Sequence, residues 1–416
     1  MKKLKTAGRV FRHRGVKGII KHTGRFVFIR FFNEELNPLI GDIYTGAPYD
    51  HVKNARVDKS ANKNWLGISD KKRPLTFSWL MPPPGKGSGG HMTLFRFIQY
   101  LENAGHTCKI YFHNPSPSSS VQEVEDAMGD AFPAVKAKMQ WLQNDEEMDV
   151  SSDAIFATSW QTAYTVRASK VHAKKLYFVQ DFEPYFYPVG GLYTLAENTY
   201  KLGFRGFTAG GWLEKKLAAD YDMETTAFWF GSDSKTYRYI NNTERKEVVF
   251  YARPTTERRA FELGVLALDI FHKKHPEYQI NFIGWDTSSL HIPFPYKNRG
   301  ILTPDELNEV YNKSAASLVM SLTNMSLLPL ELLSSGCIPV VTDGDNNRQV
   351  SDNKYIAYSA PDPHSLAAEL SKTVSRADLI QYAKKASLSV ENTSWDESGR
   401  HFVKTVEKSV RSKGNL

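Results

Sequence analysis

Cysteine is scarce in this sequence. The two residues present in 416, Cys108 and Cys337, sit in apolar runs and form no metal-ligand spacing. That excludes a disulfide framework and fits buried free thiols in a reducing compartment. There is no run of about 18 apolar residues, so no ordinary membrane-spanning helix is expected. Repeats are absent, and the one low-complexity tract is "NPSPSSS" at 114–120. Neither G-x-G-x-x-G nor a Walker A sequence occurs, which removes the common dinucleotide and P-loop fingerprints. Acidic residues are missing from residues 1–30, which hold ten Lys/Arg. The other 386 residues carry 43 basic and 45 acidic side chains. The net charge of +8 therefore belongs to one terminal segment. A nucleic-acid enzyme spreads positive charge along its working face, so no nucleic-acid partner is expected. The segment has no apolar core before a small-residue cleavage site and does not read as a signal peptide. The location expected is cytoplasmic. Residues 1–30 would make peripheral contact with the anionic inner face of the plasma membrane, and "GRFVFIRFF" at 24–32 would add apolar contact.

What is present is an alternation of apolar strands and amphipathic helices. The length suits two or three domains, and 41% apolar with 24% charged residues is a globular composition. Residues 1–74 are irregular and read as a basic extension of the N-terminal domain. From 75 the strands "PLTFSWLM", "HTCKIYF", "AIFATS", "KLYFVQ" and "GFTAG" alternate with helices. The polar stretch 225–247 reads as a linker. A second alternation follows with "EVVFYA", "QINFIG", "ASLVMSL", "IPVVTD" and "YIAYSA", separated by helical patterns at 256–274, 304–313, 327–335 and 363–389. Strands alternating with helices predict parallel sheets covered on both faces. The expected architecture is α/β, with two Rossmann-like domains facing across a cleft. These span 75–232 and 233–394, and a C-terminal helix at 395–416 returns toward the first. Ligands in such sheets bind beyond the carboxyl ends of the strands.

Four stretches at predicted strand ends hold residues suited to chemistry. The loop "PPPGKGSGG" at 82–90 precedes a helix and allows close backbone approach to a phosphate or sugar. "YFVQDFEPYFYPVG" at 177–190 packs Asp181 and Glu183 among four aromatics, and such a mixture suits sugar hydroxyls and ring faces. "YARPTTERRAFELG" at 251–264 offers Arg253 and Arg258 as fork-shaped donors for a diphosphate, with Arg259 read as a surface residue. Lys297 and Arg299 are weaker candidates of the same kind. In "SLTNMSLLPLELLSSGCIPVVTD" at 321–343, a strand delivers the chain to a helix start that can bind an anion. Glu331 lies about one turn inside, where it can accept hydrogen bonds from a ribose. "DGD" at 343–345 reads as a glycine turn, and no metal site is expected.

"TNMSLLPLELLSSGCIPVV" resembles the donor-binding signature of retaining GT-B glycosyltransferases, E-x7-E followed by a small-G-x-P-V-V strand. Glu331 matches the second Glu, and Gly336, Pro339, Val340 and Val341 match the turn and strand. "YARPTTERR" resembles the Arg-x4-Lys pair of that family, with Arg258 in place of Lys. "NRGILTPDELNEVYNKSAASLVMSL", "NTSWDESGRHFV" and the glycine loop with its helix are similar to further stretches, so the likeness covers roughly 75–412. "YFVQDFEPYFYP" looks like the WsaF-type bacterial rhamnosyltransferases. Two positions depart from the pattern: Thr323 replaces the first Glu, and Gln180–Asp181 replaces a donor-facing His.

The resemblance implies a GT-B rhamnosyltransferase acting with retention in surface glycan assembly. Its donor would be dTDP-β-L-rhamnose and its acceptor a lipid-linked rhamnan, without metal or cofactor. Donor binding is then expected at Arg253, Arg258, Lys297, Ile301, Leu302, Thr323, Asn324, Met325, Ser326, Leu327 and Glu331. Acceptor or sugar contacts are expected at Gly87, Gly89, Gly90, Gln180, Asp181 and Tyr185, with Asp181, Glu183 and Arg253 in the catalytic role. Another nucleotide-sugar glycosyltransferase, a nucleotide-sugar epimerase of the same fold and a sugar-binding module are the alternatives.

Overall fold

The computed structural model describes residues 47–85, 88–113, 121–128, 132–142 and 148–413. It divides into two units, residues 1–54 and 55–416. The described part of the first is 47–54, with one short helix, α1 (Tyr49–Asn54). The basic segment 1–30 lies outside the described residues.

The second unit contains two sheets. One has the spatial order β3-β2-β1-β4-β5-β6-β7. Its strands are β1 (Thr76–Met81), β2 (Thr107–Phe112), β3 (Lys138–Trp141), β4 (Ala154–Ala157), β5 (Lys174–Val179), β6 (Arg205–Ala209) and β7 (Thr225–Phe228). The other has the order β10-β9-β8-β11-β12-β13. It comprises β8 (Glu247–Tyr251), β9 (Gln279–Ile283), β10 (Lys297–Asn298), β11 (Ser314–Val319), β12 (Ile338–Thr342) and β13 (Ala357–Ser359). All neighbouring strands pair in parallel. Within each sheet the order reverses once, between β1 and β4 and between β8 and β11. At such a point the loops leaving the carboxyl ends diverge and open a crevice. The two Rossmann-like sheets expected from the sequence are both present.

Helices connect the strands. In the first half they are α2 (Gly89–Asn103), α3 (Val121–Met128), α4 (Trp160–Ala168), α5 (Gly191–Asn198) and α6 (Gly211–Tyr221). In the second they are α7 (Phe261–Lys274), α8 (Pro304–Lys313), α9 (Leu328–Ser334), α10 (Asp345–Arg348), α11 (Pro363–Val374), α12 (Leu379–Leu388) and α13 (Trp395–Arg411). The single pattern expected over 363–389 is thus two helices. Strand β1 has five of its six residues buried, because helices cover both faces of a parallel sheet. Trp79 on β1 stacks on Phe156 of β4 with ring centroids 4.0 Å apart. The close approach of α7 to its sheet depends on Gly264, where a Cβ would come within 2.4 Å of the Phe250 ring.

Helix α13 presents Trp395, Phe402, Val406 and Val410 as one buried stripe. That stripe packs into the core of the first sheet. Phe402 lies 4.7 Å from Phe97 and 5.3 Å from Phe207 between ring centroids. Trp65 Nε1 donates to the Val410 carbonyl at 2.9 Å. The stretch 225–247 is a correction to the sequence reading, since it opens with β7 and its remainder is held down. Asn312 accepts from Ile240 N–H at 2.9 Å and donates to the Arg238 carbonyl at 2.9 Å. The buried Arg245 donates to the carbonyls of Tyr311, Ser314 and Ser335.

Candidate active site at the carboxyl ends of the two sheets

In each sheet the loops beyond the strand ends carry the residues singled out above. Beyond β1, His91 closes the glycine loop. Its Nε2 lies 2.9 Å from the Pro82 carbonyl and its Nδ1 lies 2.8 Å from Ser88 Oγ. Burial lowers the His91 pKa, which favours the neutral ring. Gly89 and Gly90 are exposed, and a Cβ at Gly90 would stand 3.5 Å from Gln180 Nε2. The loop therefore lies against the end of β5. Gly87 is outside the described residues.

Beyond β5, the two carboxylates point in different directions. Asp181 faces the second sheet. Its Oδ1 accepts from Phe182 N–H and Asn324 N–H, both at 2.9 Å. Its Oδ2 accepts from the Thr323 hydroxyl at 3.0 Å and pairs with Arg258 Nε at 3.3 Å. Glu183 faces inward and is buried. It accepts from Trp160 N–H and, at 3.0 Å, from the Tyr177 hydroxyl. Burial pushes its carboxyl up to about 8, and these two hydrogen bonds offset only part of that. Tyr185 is exposed. Phe186 supports the Arg258 guanidinium, which sits 3.8 Å from its ring centroid.

Beyond β8, Arg253 donates to the Gly284 carbonyl at 3.1 Å and lies over the Tyr251 ring. No carboxylate lies within ion-pairing distance of it among the described residues. Gly284 N–H in turn donates to the Gly300 carbonyl at 2.7 Å, which brings Ile301 and Leu302 beside the Arg253 loop. Ile301 is exposed and Leu302 half-buried. Lys297 is exposed on the outermost strand, β10. Arg299 is committed to the sheet through Asn281 at 2.9 Å. Arg259, read from sequence as a surface residue, is instead enclosed. It donates to Ser321 Oγ at 2.7 Å, and burial lowers its pKa while the Asp181 charge opposes that. No apolar pattern marks it, because the enclosing atoms come from the distant β11 loop.

Beyond β11, Thr323, Asn324 and Met325 are buried, while Ser326 and Leu327 are half-buried at the start of α9. Asn324 Nδ2 donates to the Gln180 and Ala209 carbonyls, both at 3.0 Å. Its buried Oδ1 has no partner among the described residues. The Met325 side chain belongs to the core of the second half. Asn346, which the sequence reading passed over, braces the loop by donating to the Thr323 carbonyl. Glu331, in the first turn of α9, is half-buried. Protein packed around its carboxyl pushes the pKa up to about 8. The Tyr237 hydroxyl opposes this shift, the Asp233 charge adds to it and Arg96 opposes it. In the "DGD" turn, Asp343 pairs with Arg348.

The structure thus brings Gln180, Asp181, Arg258, Thr323 and Asn324 into direct contact, with Gly90 alongside. Arg253, Ile301 and Leu302 form a second group, and Glu331 stands with Tyr237 and Arg96. A surface of this kind can receive an anion at the arginines and a hydroxyl group at the half-buried Glu331 carboxyl.

Comparison with known proteins agrees with this fold. The family described as WsaF, N-terminal domain, matches residues 137–208, and WsaF, C-terminal domain, matches 246–371. The O-antigen biosynthesis protein RfbC of Myxococcus xanthus is 27% identical over 348 residues. That alignment covers 81% of this chain and 27% of the relative, so the chain spans about a quarter of that protein's length. Among solved structures, TarM of S. aureus superposes with a TM-score of 0.65 at 9% identity, covering 82% of this chain and all of TarM. Anabaena Alr3699/HepE, solved with UDP and glucose, gives 0.62 at 10% identity, covering 80% of this chain and 99% of its own. These likenesses establish a common fold. Both WsaF domain models thus match in order along the two Rossmann-like sheets, and the fold is GT-B.

Proposed function

We propose that the protein transfers L-rhamnose from dTDP-β-L-rhamnose to a lipid-linked rhamnan during assembly of a surface polysaccharide, with retention of configuration. The observation that carries the proposal is the meeting of the two sheets' carboxyl ends at Arg258, with Arg253 and the start of α9 on the same side. In this reading Arg253 and Arg258 neutralise the donor diphosphate, and Lys297 adds to the field. Backbone N–H groups near Ser326 and Leu327 face the phosphate oxygens. Glu331 accepts from the 3′-hydroxyl of the thymidine, and Ile301 and Leu302 flank the base. Asn324, at 2% exposure, braces the loop beside the sugar through the Gln180 and Ala209 carbonyls. Gly89, Gly90, Gln180 and Tyr185 border the acceptor.

The reaction breaks the bond from sugar C1 to the diphosphate oxygen and forms one from C1 to the acceptor oxygen on the same face. The acceptor proton passes to the leaving phosphate. Positive groups fixed in place before the reaction stabilise that leaving group as its charge develops, which removes the need for a metal. Glu183 is too buried to touch either substrate; its part is to hold the β5 loop. The family resemblance supports rhamnose, and the likeness to an O-antigen biosynthesis protein supports a polysaccharide product. Contact of residues 1–30 with an anionic membrane would bring the enzyme to a lipid-linked acceptor.

The test is turnover of dTDP-β-L-rhamnose, UDP-glucose and UDP-N-acetylglucosamine, each with and without a synthetic rhamnoside. Release of dTDP that requires the rhamnoside, with a β-linked rhamnosyl product, is the expected result. Turnover without acceptor would point to an epimerase, and preference for a UDP-sugar would overturn the rhamnosyl assignment.

A further inference from the structure

Asp181 is the residue that the proposed reaction leaves unexplained. A carboxylate offers about four lone-pair directions; three here accept from Phe182 N–H, Asn324 N–H and the Thr323 hydroxyl, and Oδ2 also forms an ion pair with the Arg258 guanidinium, without a hydrogen bond. Three of those four partners belong to the second sheet's loops. Asn324 reciprocates by donating to the Gln180 and Ala209 carbonyls at the ends of β5 and β6. Arg258 is held from the first half on two sides, by Asp181 and by the Phe186 ring. Its own carbonyl accepts from Leu322 N–H at 3.0 Å, so its backbone is tied to the loop that carries Thr323.

We infer that Asp181 is a positioning residue, an interdomain latch that registers the two sheets and pairs with Arg258 until a nucleoside diphosphate competes for that guanidinium. The latch stands on the contacts alone; the exchange rests on the reading of Arg258 as a diphosphate ligand. Both side chains are largely enclosed, at 12% exposure for Asp181 and 27% for Arg258, so the pair is screened less than a surface ion pair. A diphosphate arriving at Arg258 meets a cation already partly neutralised. Its greater charge draws the guanidinium away from Asp181, while the Thr323 and Asn324 contacts persist. Occupancy of the donor site and the strength of the interdomain contact are then coupled, and such coupling is reciprocal.

The test uses the full chain and three substitutions, Asp181→Asn, Thr323→Val and Arg258→Ala. Small-angle scattering reports the separation of the two halves. Calorimetry reports affinity for dTDP, UDP and inorganic pyrophosphate. Both Asp181→Asn and Thr323→Val should enlarge the radius of gyration. They should also lower kcat by about 10-fold or more, and in Thr323→Val, which keeps the Asp181–Arg258 pair, donor KM should move less than about 3-fold, since misregistered groups lose rate before binding. Asp181→Asn alone should tighten diphosphate binding about 3- to 10-fold, because the competing anion is gone, and Arg258→Ala should abolish that gain. An unchanged radius of gyration in both variants overturns the latch. Unchanged or weaker diphosphate affinity in Asp181→Asn overturns the exchange. Failure of the wild-type chain to bind any of the three probes overturns the donor-site reading instead, and the scattering result still decides the latch.

Discussion

Replacing Glu183 by Gln isolates the cost of keeping a carboxyl group inside the first half of the protein. Glu183 is 7% exposed, and burial raises its pKa from 4.5 to about 8. Between those values the unfolded chain has released the proton and the folded chain retains it. Stability must therefore fall as pH rises through this window, and it levels off above about 8. The slope for one such group is about 1.4 kcal/mol per pH unit. From pH 5.5 to 7.5 that comes to roughly 2–3 kcal/mol. Gln has the shape of the protonated acid, and its carbonyl can accept from Trp160 N–H and the Tyr177 hydroxyl. The variant should match wild type within about 1 kcal/mol near pH 4, where the carboxyl is protonated in both states. It should then become progressively more stable than wild type toward pH 8. The assay is urea unfolding followed by tryptophan fluorescence at half-unit pH steps. Subtracting the two curves cancels every other titrating group, Glu331 included. A difference that stays flat with pH, or that favours wild type as pH rises, would mean that the carboxylate is ionised in the fold.

Three further outcomes follow from the donor site and the terminal segment. Glu331→Ala should weaken dTDP binding about 2- to 10-fold near neutral pH, since burial keeps the carboxyl protonated there and a neutral hydrogen bond contributes roughly 0.5–1.5 kcal/mol; wild-type affinity in the folded variant would remove Glu331 from the site. Excess EDTA should leave transfer unchanged, because arginines and not a metal neutralise the diphosphate, and a loss restored by Mg²⁺ or Mn²⁺ would refute this. Sedimentation with anionic vesicles should disappear at high salt, given a screening length of about 8 Å at physiological ionic strength. Equal binding to neutral vesicles would contradict an electrostatic role for the ten basic residues at 1–30.

The sequence announced its long buried strands because helices on both faces force every position to be apolar. Strands β1, β5 and β11 are read directly from such runs. The short members escaped for the same reason. β3 is four half-buried or exposed residues at one edge, β7 is a "TTAF" within polar surroundings, and β10 is two exposed residues. None has a periodicity long enough to register. At the site, residues on strand ends were legible because the fold class fixes where strand ends lie. What those residues touch was not. Arg259, Asn324 and Asn346 owe their environments to loops far away in sequence, and residue type alone does not encode such contacts. Helix α13 was visible as a pattern opening at Trp395. Its packing on Tyr100 at Gly399, where a Cβ would stand 2.5 Å from the ring, needed the structure.

Asp181 and Glu183 show how spacing misleads when secondary structure changes underneath it. In an extended chain, residues two apart share a face, and a strand continued through this stretch would put both carboxylates on one side. Strand β5 ends at Val179, however, and Glu183 opens a 3-10 helix, Glu183–Phe186, with Pro184 in its first turn. Proline fixes its own φ near −65°, and the chain turns there. Glu183 goes inward to Trp160 and Tyr177, while Asp181 remains directed at Thr323 and Arg258. The same turn sends Phe186 back toward Arg258. The stretch therefore has an inner side that anchors the loop to its own sheet and an outer side that holds an arginine belonging to the other. A change at Glu183 reaches that arginine only by moving the loop, whereas a change at Asp181 acts on it directly.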